Sequence, residues 1–209
     1  YGVYLALTGA DHPMREAVIA AMPTDPAAAV ERLFAPLPPG ARIQYQKHMT
    51  HHMTAGIPWD WFGAVDHVFL VRRPEDVLAS YAEKRESATL ADIGFVEQRD
   101  IFRAVRAATG AVPPVIDGRA VQADPRGTLA ALCERLGIPF DEAMLSWAPG
   151  RRPEDGVWAD HWYGAVEAST GFRPPRPPTA RADLPAALAA IAAEAEPYYE
   201  ELRAHAIAS

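Results

Sequence analysis

Cysteine is nearly absent from this chain. Cys133 is the single one in 209 residues, so no intrachain disulfide exists and a reducing compartment, the cytoplasm, is the expected location. Long apolar runs are missing too, and none approaches the ~18 residues that a membrane-crossing helix needs. Cations are outnumbered: 20 Lys and Arg face 27 Asp and Glu, a net charge of −7 that argues against a nucleic-acid partner. Any anion site must therefore be a local cluster of positive charge. The opening "YGVYLALTG" has neither a Met, a capping residue nor a secretory pattern, and reads as a chain entered midway.

What is present is ordinary for a folded protein, with 49% hydrophobic and 22% charged residues. The length suits one domain, residues 1–209, with a substantial core. "MREAVIAAM" and "DPAAAVERLF" carry helical apolar spacing, the second with Asp25 as N-cap and Pro26 at the first helical position. After the turn "LPPG", the alternation in "ARIQYQKHM" predicts a half-buried strand. "AVDHVFLVR" is apolar from Val68 to Val71, as an interior parallel strand covered on both faces would be.

Pro74, Glu75 and Asp76 then open a helix. "EQRDIFRAVRAATG" is a helix stopped by Gly110, and "VPPVIDGRAV" is a further strand interrupted at "DG". "TLAALCERLGIPF" is a helix ended by Gly137 and Pro139. A Pro-rich surface segment, residues 172–183, precedes an Ala-rich C-terminal helix that Pro197 would break or kink. Strands alternating with helices predict an α/β fold, a mainly parallel central sheet flanked by helices.

The segment "HVFLVRRPEDVLASY" places two arginines where a strand stops. Ligands of open α/β sheets bind beyond the carboxyl ends of the strands, beside helix N-termini. Ser80 falls within about 20° of Arg73's direction when the helix is stepped at 100° per residue. A guanidinium, a hydroxyl and helix N–H groups together describe a phosphate site; a charge pair at ~4 Å contributes roughly 4 kcal/mol at an effective dielectric near 20, before desolvation. The competing reading is that Arg72 or Arg73 pairs with Glu75 or Asp76 and holds the turn together, with Asp76 the more structural of the two acids.

"RRPEDVLASY" resembles the 3′-phosphate-binding segment of sulfotransferases that use 3′-phosphoadenosine 5′-phosphosulfate (PAPS). Arg72, Asp76 and Ser80 fit that family's spacing. "DPRGTLAALCERLGIPFDEAML" is similar to a packing module of the same family. "GRRPEDGVWADHWYGAVEASTGF" resembles its C-terminal loop and Trp, although Pro153 stands where the family usually has Gly. With "QKHMTHHM", these blocks look like a bacterial sulfotransferase-like subfamily. The resemblance implies a P-loop NTPase-like fold of sulfotransferase type. It also implies 3′-phosphate binding by Arg72 and Ser80, with Arg151 and Arg152 assisting.

"QYQKHMTHHM" gathers Lys47, His48, His51 and His52 at the end of the predicted strand. Three histidines in five residues invite a metal reading, but no carboxylate or cysteine lies near them in sequence, and no metal is expected. They also fit a transfer site, since displacement at sulfur relies on positioning, charge stabilisation and a base of near-neutral pKa. The resemblance implies Lys47 at the bridging oxygen and one of the histidines as base. A turn capped by ordinary polar residues is the third reading. Asp160, His161 and Trp162 form another polar-aromatic group, a candidate lining for an acceptor pocket.

The family's Gly-rich loop for the 5′-phosphosulfate has no counterpart here; "LTGADHP" has the wrong composition. The resemblance therefore implies an N-terminally incomplete domain, with roughly 30–45 family residues preceding Tyr1. The leading expectation is sulfuryl transfer from PAPS to a hydroxyl or amine of a small molecule. The alternatives are a non-catalytic nucleotide-binding or interaction protein on the same fold and a histidine-centred metal hydrolase. Acceptor and oligomeric state are left open.

Overall fold

The structure, a computed structural model, describes residues 1–54, 56–83, 87–152 and 155–207. Among these residues the chain is α/β but mostly helical. In order come α1 (Gly2–Thr8), α2 (Arg15–Ala21), α3 (Pro26–Leu33), β1 (Phe69–Val71), α4 (Pro74–Ala82), α5 (Leu90–Ile93) and α6 (Phe95–Thr109). There follow β2 (Val115–Asp117), α7 (Gly118–Ala123), α8 (Pro125–Leu136), α9 (Ala159–Trp162), α10 (Gly164–Glu167) and α11 (Ala186–Arg203). Two compact units result, one of residues 1–61 and 148–169, the other of 62–147 and 170–209. No helix among the described residues is long and apolar enough to cross a membrane.

The first unit contains no strand among its described residues. Its α1 and α2 bury Val3, Leu5 and Val18, and Arg15 ties the two together by donating from Nη1 to the Leu5 carbonyl at 2.6 Å. Gly2 is fixed by that approach, because a Cβ there would stand 2.6 Å from the Pro23 carbonyl oxygen. Asp25 caps α3 as expected, accepting from Ala28 N at 2.8 Å. The predicted strand at "ARIQYQKHM" is corrected here: residues 41–49 carry no strand. Ile43 and Tyr45 are exposed, and no neighbouring strand meets them. Alternation yields a strand only where a second backbone supplies the ladder bonds, and none is at hand.

The second unit holds a two-stranded parallel sheet, with Phe69 opposite Val115, Leu70 opposite Ile116 and Val71 opposite Asp117. That replaces the expected mainly parallel central sheet, since no third strand occurs among the described residues. The outer side of β2 is covered by the chain's end, where Ile207 N donates to the Val115 carbonyl at 2.8 Å. β1 is covered on one face only. Phe69 and Val71 are buried while Leu70 is 52% exposed, so the reading of a strand enclosed on both faces is also corrected.

The helices bury the remaining faces of the sheet. Phe102 of α6 is fully enclosed and meets Phe69 edge-on at 5.3 Å. Burial of one such ring contributes on the order of 2–3 kcal/mol. In α11 the buried residues Ala192, Ala195, Tyr199 and Leu202 form one stripe, and the alanines let the helix approach closely. Pro197 neither ends nor interrupts α11. It lies on the exposed side with Ala193, so the carbonyl it leaves without a bond faces water.

Other punctuation behaves as read. Gly110 and Gly137 end α6 and α8 in the left-handed region, at φ 70 and φ 65, where a side chain would be strained. Asp124 caps α8 by accepting from Gly127 N at 2.9 Å. The "DG" pair does not interrupt a strand but begins a helix: Asp117 accepts from Arg119 N at 2.7 Å, which turns the backbone into α7. "EAML" is a short 3₁₀ turn rather than an α-helix.

Candidate functional site

The arginine pair at the end of β1 lies in the second unit, and the two arginines are not equivalent. Arg73 is the N-cap of α4 and pairs with the buried Glu75 at 3.3 Å. Glu75 also accepts from Arg181 Nε at 3.0 Å and Nη2 at 2.7 Å. Asp76 accepts from Thr179 N at 2.9 Å and faces Arg119 at 3.6 Å. Both acids of "PED" thus anchor the Pro-rich segment, which runs without helix or strand from Phe172 to Ala180. Arg72 takes no part. It is exposed at the carboxyl end of β1 and makes no hydrogen bond or ion pair with any described residue. Ser80 is exposed on α4.

The same unit carries a cavity of about 780 Å³ lined by Arg73, Arg119 and Arg203 together with Asp117, Tyr199 and Glu200. Each guanidinium has a carboxylate beside it: Arg73 has Glu75, Arg119 has Asp76 and Arg203 has Glu200, the last at 3.3 Å. The local charge is therefore answered, and the cavity is not an anion trap. The Tyr199 hydroxyl donates to Asp117 Oδ2 at 3.2 Å. Burial and that carboxylate push its pKa up to about 12, so it remains a phenol.

The histidine cluster lies in the first unit, on the segment running into a 3₁₀ turn at Thr50–His52 and not at a strand end. Lys47 and His48 are exposed, and His51 and His52 are half-buried. The His52 ring is stacked on Tyr1 at 4.2 Å and on Tyr4 at 4.7 Å, with His51 edge-on at 4.3 Å. Burial, then the neighbouring His51, push the His52 pKa down to about 2. An imidazole so weakly basic cannot take a proton from a hydroxyl near neutral pH. His48 Nε2 lies 3.2 Å from Gln46 Oε1, which accepts from it and leaves Nδ1 as the lone-pair nitrogen of the neutral ring.

Sequence reasoning passed over His12. It is buried, with Met14 N 3.1 Å from Nδ1 and Trp162 Nε1 3.1 Å from Nε2. Both neighbours are donors, and a neutral imidazole has one lone pair with which to accept from them. Nothing in "GADHPM" announces this, because Trp162 lies 150 residues away. Trp162 is thereby a packing partner of His12, and Asp160 pairs with Arg151. Arg152 is exposed, and its backbone N–H donates to Asp155 at 2.9 Å. Pro153, which stands at the family's usual Gly, lies outside the described residues. Among the described residues no group of three or more His, Cys, Asp or Glu is placed to hold a metal ion.

A family model described as a sulfotransferase domain matches residues 1–206, and the chain belongs to that family. Two curated Arabidopsis thaliana proteins are also similar to it. Branched-chain-amino-acid aminotransferase-like protein 2 is 33% identical over 177 residues, covering 84% of this chain and 31% of the relative. Branched-chain-amino-acid aminotransferase-like protein 1 is 35% identical over 177 residues, with the same 84% and 31% coverage. The chain thus spans about a third of the length of these relatives. No solved structure matches it.

Proposed function

We propose that this domain takes part in sulfuryl transfer from PAPS to a hydroxyl or amine of a small acceptor, on a P-loop-type α/β fold in the cytoplasm. The observation that carries the reading is Arg72. In a member of the sulfotransferase domain family, it is a guanidinium at the end of a parallel strand that no carboxylate of the described residues neutralises, while its neighbour Arg73 serves the turn. A solvated guanidinium left open in this way fits a phosphate group, which it binds through two parallel N–H bonds.

When bound, PAPS supplies the sulfuryl group and leaves as 3′,5′-adenosine diphosphate. Arg72 and Ser80, in the second unit, would hold its 3′-phosphate; within the first unit Arg151 is paired with Asp160 and Arg152 is exposed, so Arg152 is the more open of the two to an anion. Lys47, in the first unit, would stabilise negative charge that develops during the transfer. His48 or His51 would accept the proton released by the acceptor, and His52 packs edge-on against His51.

A second reading, a non-catalytic nucleotide-binding protein, is favoured by the Arg151–Asp160 ion pair and by the weak basicity of His52. Titration calorimetry with 3′,5′-adenosine diphosphate, beside 5′-AMP and beside Arg72→Ala, tests the nucleotide assignment common to both. Binding of the diphosphate that 5′-AMP does not share and Arg72→Ala removes is the expected result. Equal heats for the two nucleotides would refute it. Turnover of PAPS with a panel of small alcohols and amines then separates the two readings.

A further inference from the structure

We infer that Gly118 is a positioning residue for Arg72: its missing side chain gives the arginine's stem its path across the carboxyl end of the sheet. The inference rests on the proposed role of Arg72 and goes beyond it. Val71 pairs with Asp117 at the ends of the two parallel strands, so Arg72 and Gly118 are the residues that follow them. A Cβ added at Gly118 would stand 3.1 Å from Arg72 Cγ, 3.7 Å from Arg72 Cδ and 3.5 Å from the Val71 carbonyl oxygen. The stem thus lies flat over the first residue of α7, in the space a side chain would fill.

Backbone conformation does not require this glycine. Gly118 is not among the glycines with positive φ, so an alanine there is unstrained. At the first position of a helix, glycine is also the poorer helix former. Local stability therefore favours alanine, and what opposes it is the Arg72 side chain. Methylene groups pressed at 3.1 Å must shift by a few tenths of an ångström, and the shift grows along the side chain to the guanidinium. A bidentate grip on phosphate tolerates little such displacement.

The test is a double-mutant cycle on the whole chain, read by calorimetry with 3′,5′-adenosine diphosphate and by thermal denaturation without ligand. Gly118→Ala is expected to weaken binding severalfold and Gly118→Val more, while Gly118→Ala leaves the melting temperature unchanged or raised. On the Arg72→Ala background, where no stem remains to displace, Gly118→Ala is expected to raise the melting temperature by more than it does in the chain that keeps Arg72. Loss of affinity in proportion to loss of stability, or an equal effect of Gly118→Ala with and without Arg72, would overturn the inference while the role of Arg72 stands. Wild-type binding that Arg72→Ala leaves intact would overturn both.

Discussion

Arg73 closes an ion pair with Glu75 at 3.3 Å, on a carboxylate whose side chain is 5% exposed. The adjacent Arg72 stands outside that pair. Two arginines that look interchangeable in the sequence are divided by the turn into α4, one tied to the fold and one left to solvent. Glu75→Gln removes the carboxylate that Arg73 and Arg181 share, and is expected to lower unfolding free energy by about 1–2 kcal/mol. Arg72→Ala is expected to stay within about 0.5 kcal/mol of wild type. Urea denaturation of the two variants measures this. Equal losses would place Arg72 among the residues that hold the turn.

His52 makes stability depend on acid. Its folded-state pKa, about 2, lies below the ordinary 6.5, so the unfolded chain binds the extra proton. The stability this ring provides is complete above pH 6.5 and is lost as pH falls from there towards 2. Denaturation midpoints between pH 7 and pH 4 are expected to fall with decreasing pH. In His52→Phe the slope is shallower by about one proton. The same variant should keep any transferase activity better than His48→Ala or His51→Ala.

Tyr199 acts at the opposite end of the scale. Its pKa rises from 10.0 to about 12 on folding, so the folded state holds the phenolic proton more tightly. That contribution is complete below pH 10 and disappears between pH 10 and 12. Tyr199→Phe, which gives up the hydrogen bond to Asp117, is expected to cost about 1 kcal/mol at neutral pH and to lose less than wild type above pH 10. Urea unfolding at pH 7 and at pH 10.5 gives both numbers.

Asp124 is the cap of α8 and carries no proposed chemical role. Asp124→Ala leaves Gly127 N unpaired and is expected to cost about 1 kcal/mol by chemical denaturation, with nucleotide binding unchanged. A change in nucleotide affinity would tie α8 to the site.

Much of the local structure was readable because it is set by neighbours in sequence. Asp25 and Asp124 reach a backbone N–H three residues on, Pro26, Pro74 and Pro125 begin helices with a φ already suited to them, and Gly110 and Gly137 end helices where only a left-handed residue fits. The strand before Arg72 was readable for the same reason, since an apolar run followed by a proline and two acids defines a strand end and a helix start. Residues 41–49 failed because alternation measures what a strand needs, not whether a partner backbone is present.

The sequence by itself therefore determined the caps, the stops, the β1–α4 junction and membership in the sulfotransferase domain family, all of which depend on short-range chemistry or on the order of residues. Only the tertiary structure decided which arginine is left without a carboxylate among the described residues, that Gly118 lies beneath Arg72, and that His52 is packed on two tyrosines and stripped of its basicity. Those outcomes depend in part on side chains from distant parts of the chain, Arg181 on Glu75, Gly118 on Arg72 and Tyr1 and Tyr4 on His52, sharing the same hydrogen bonds and the same volume. Spacing along the chain does not encode that competition.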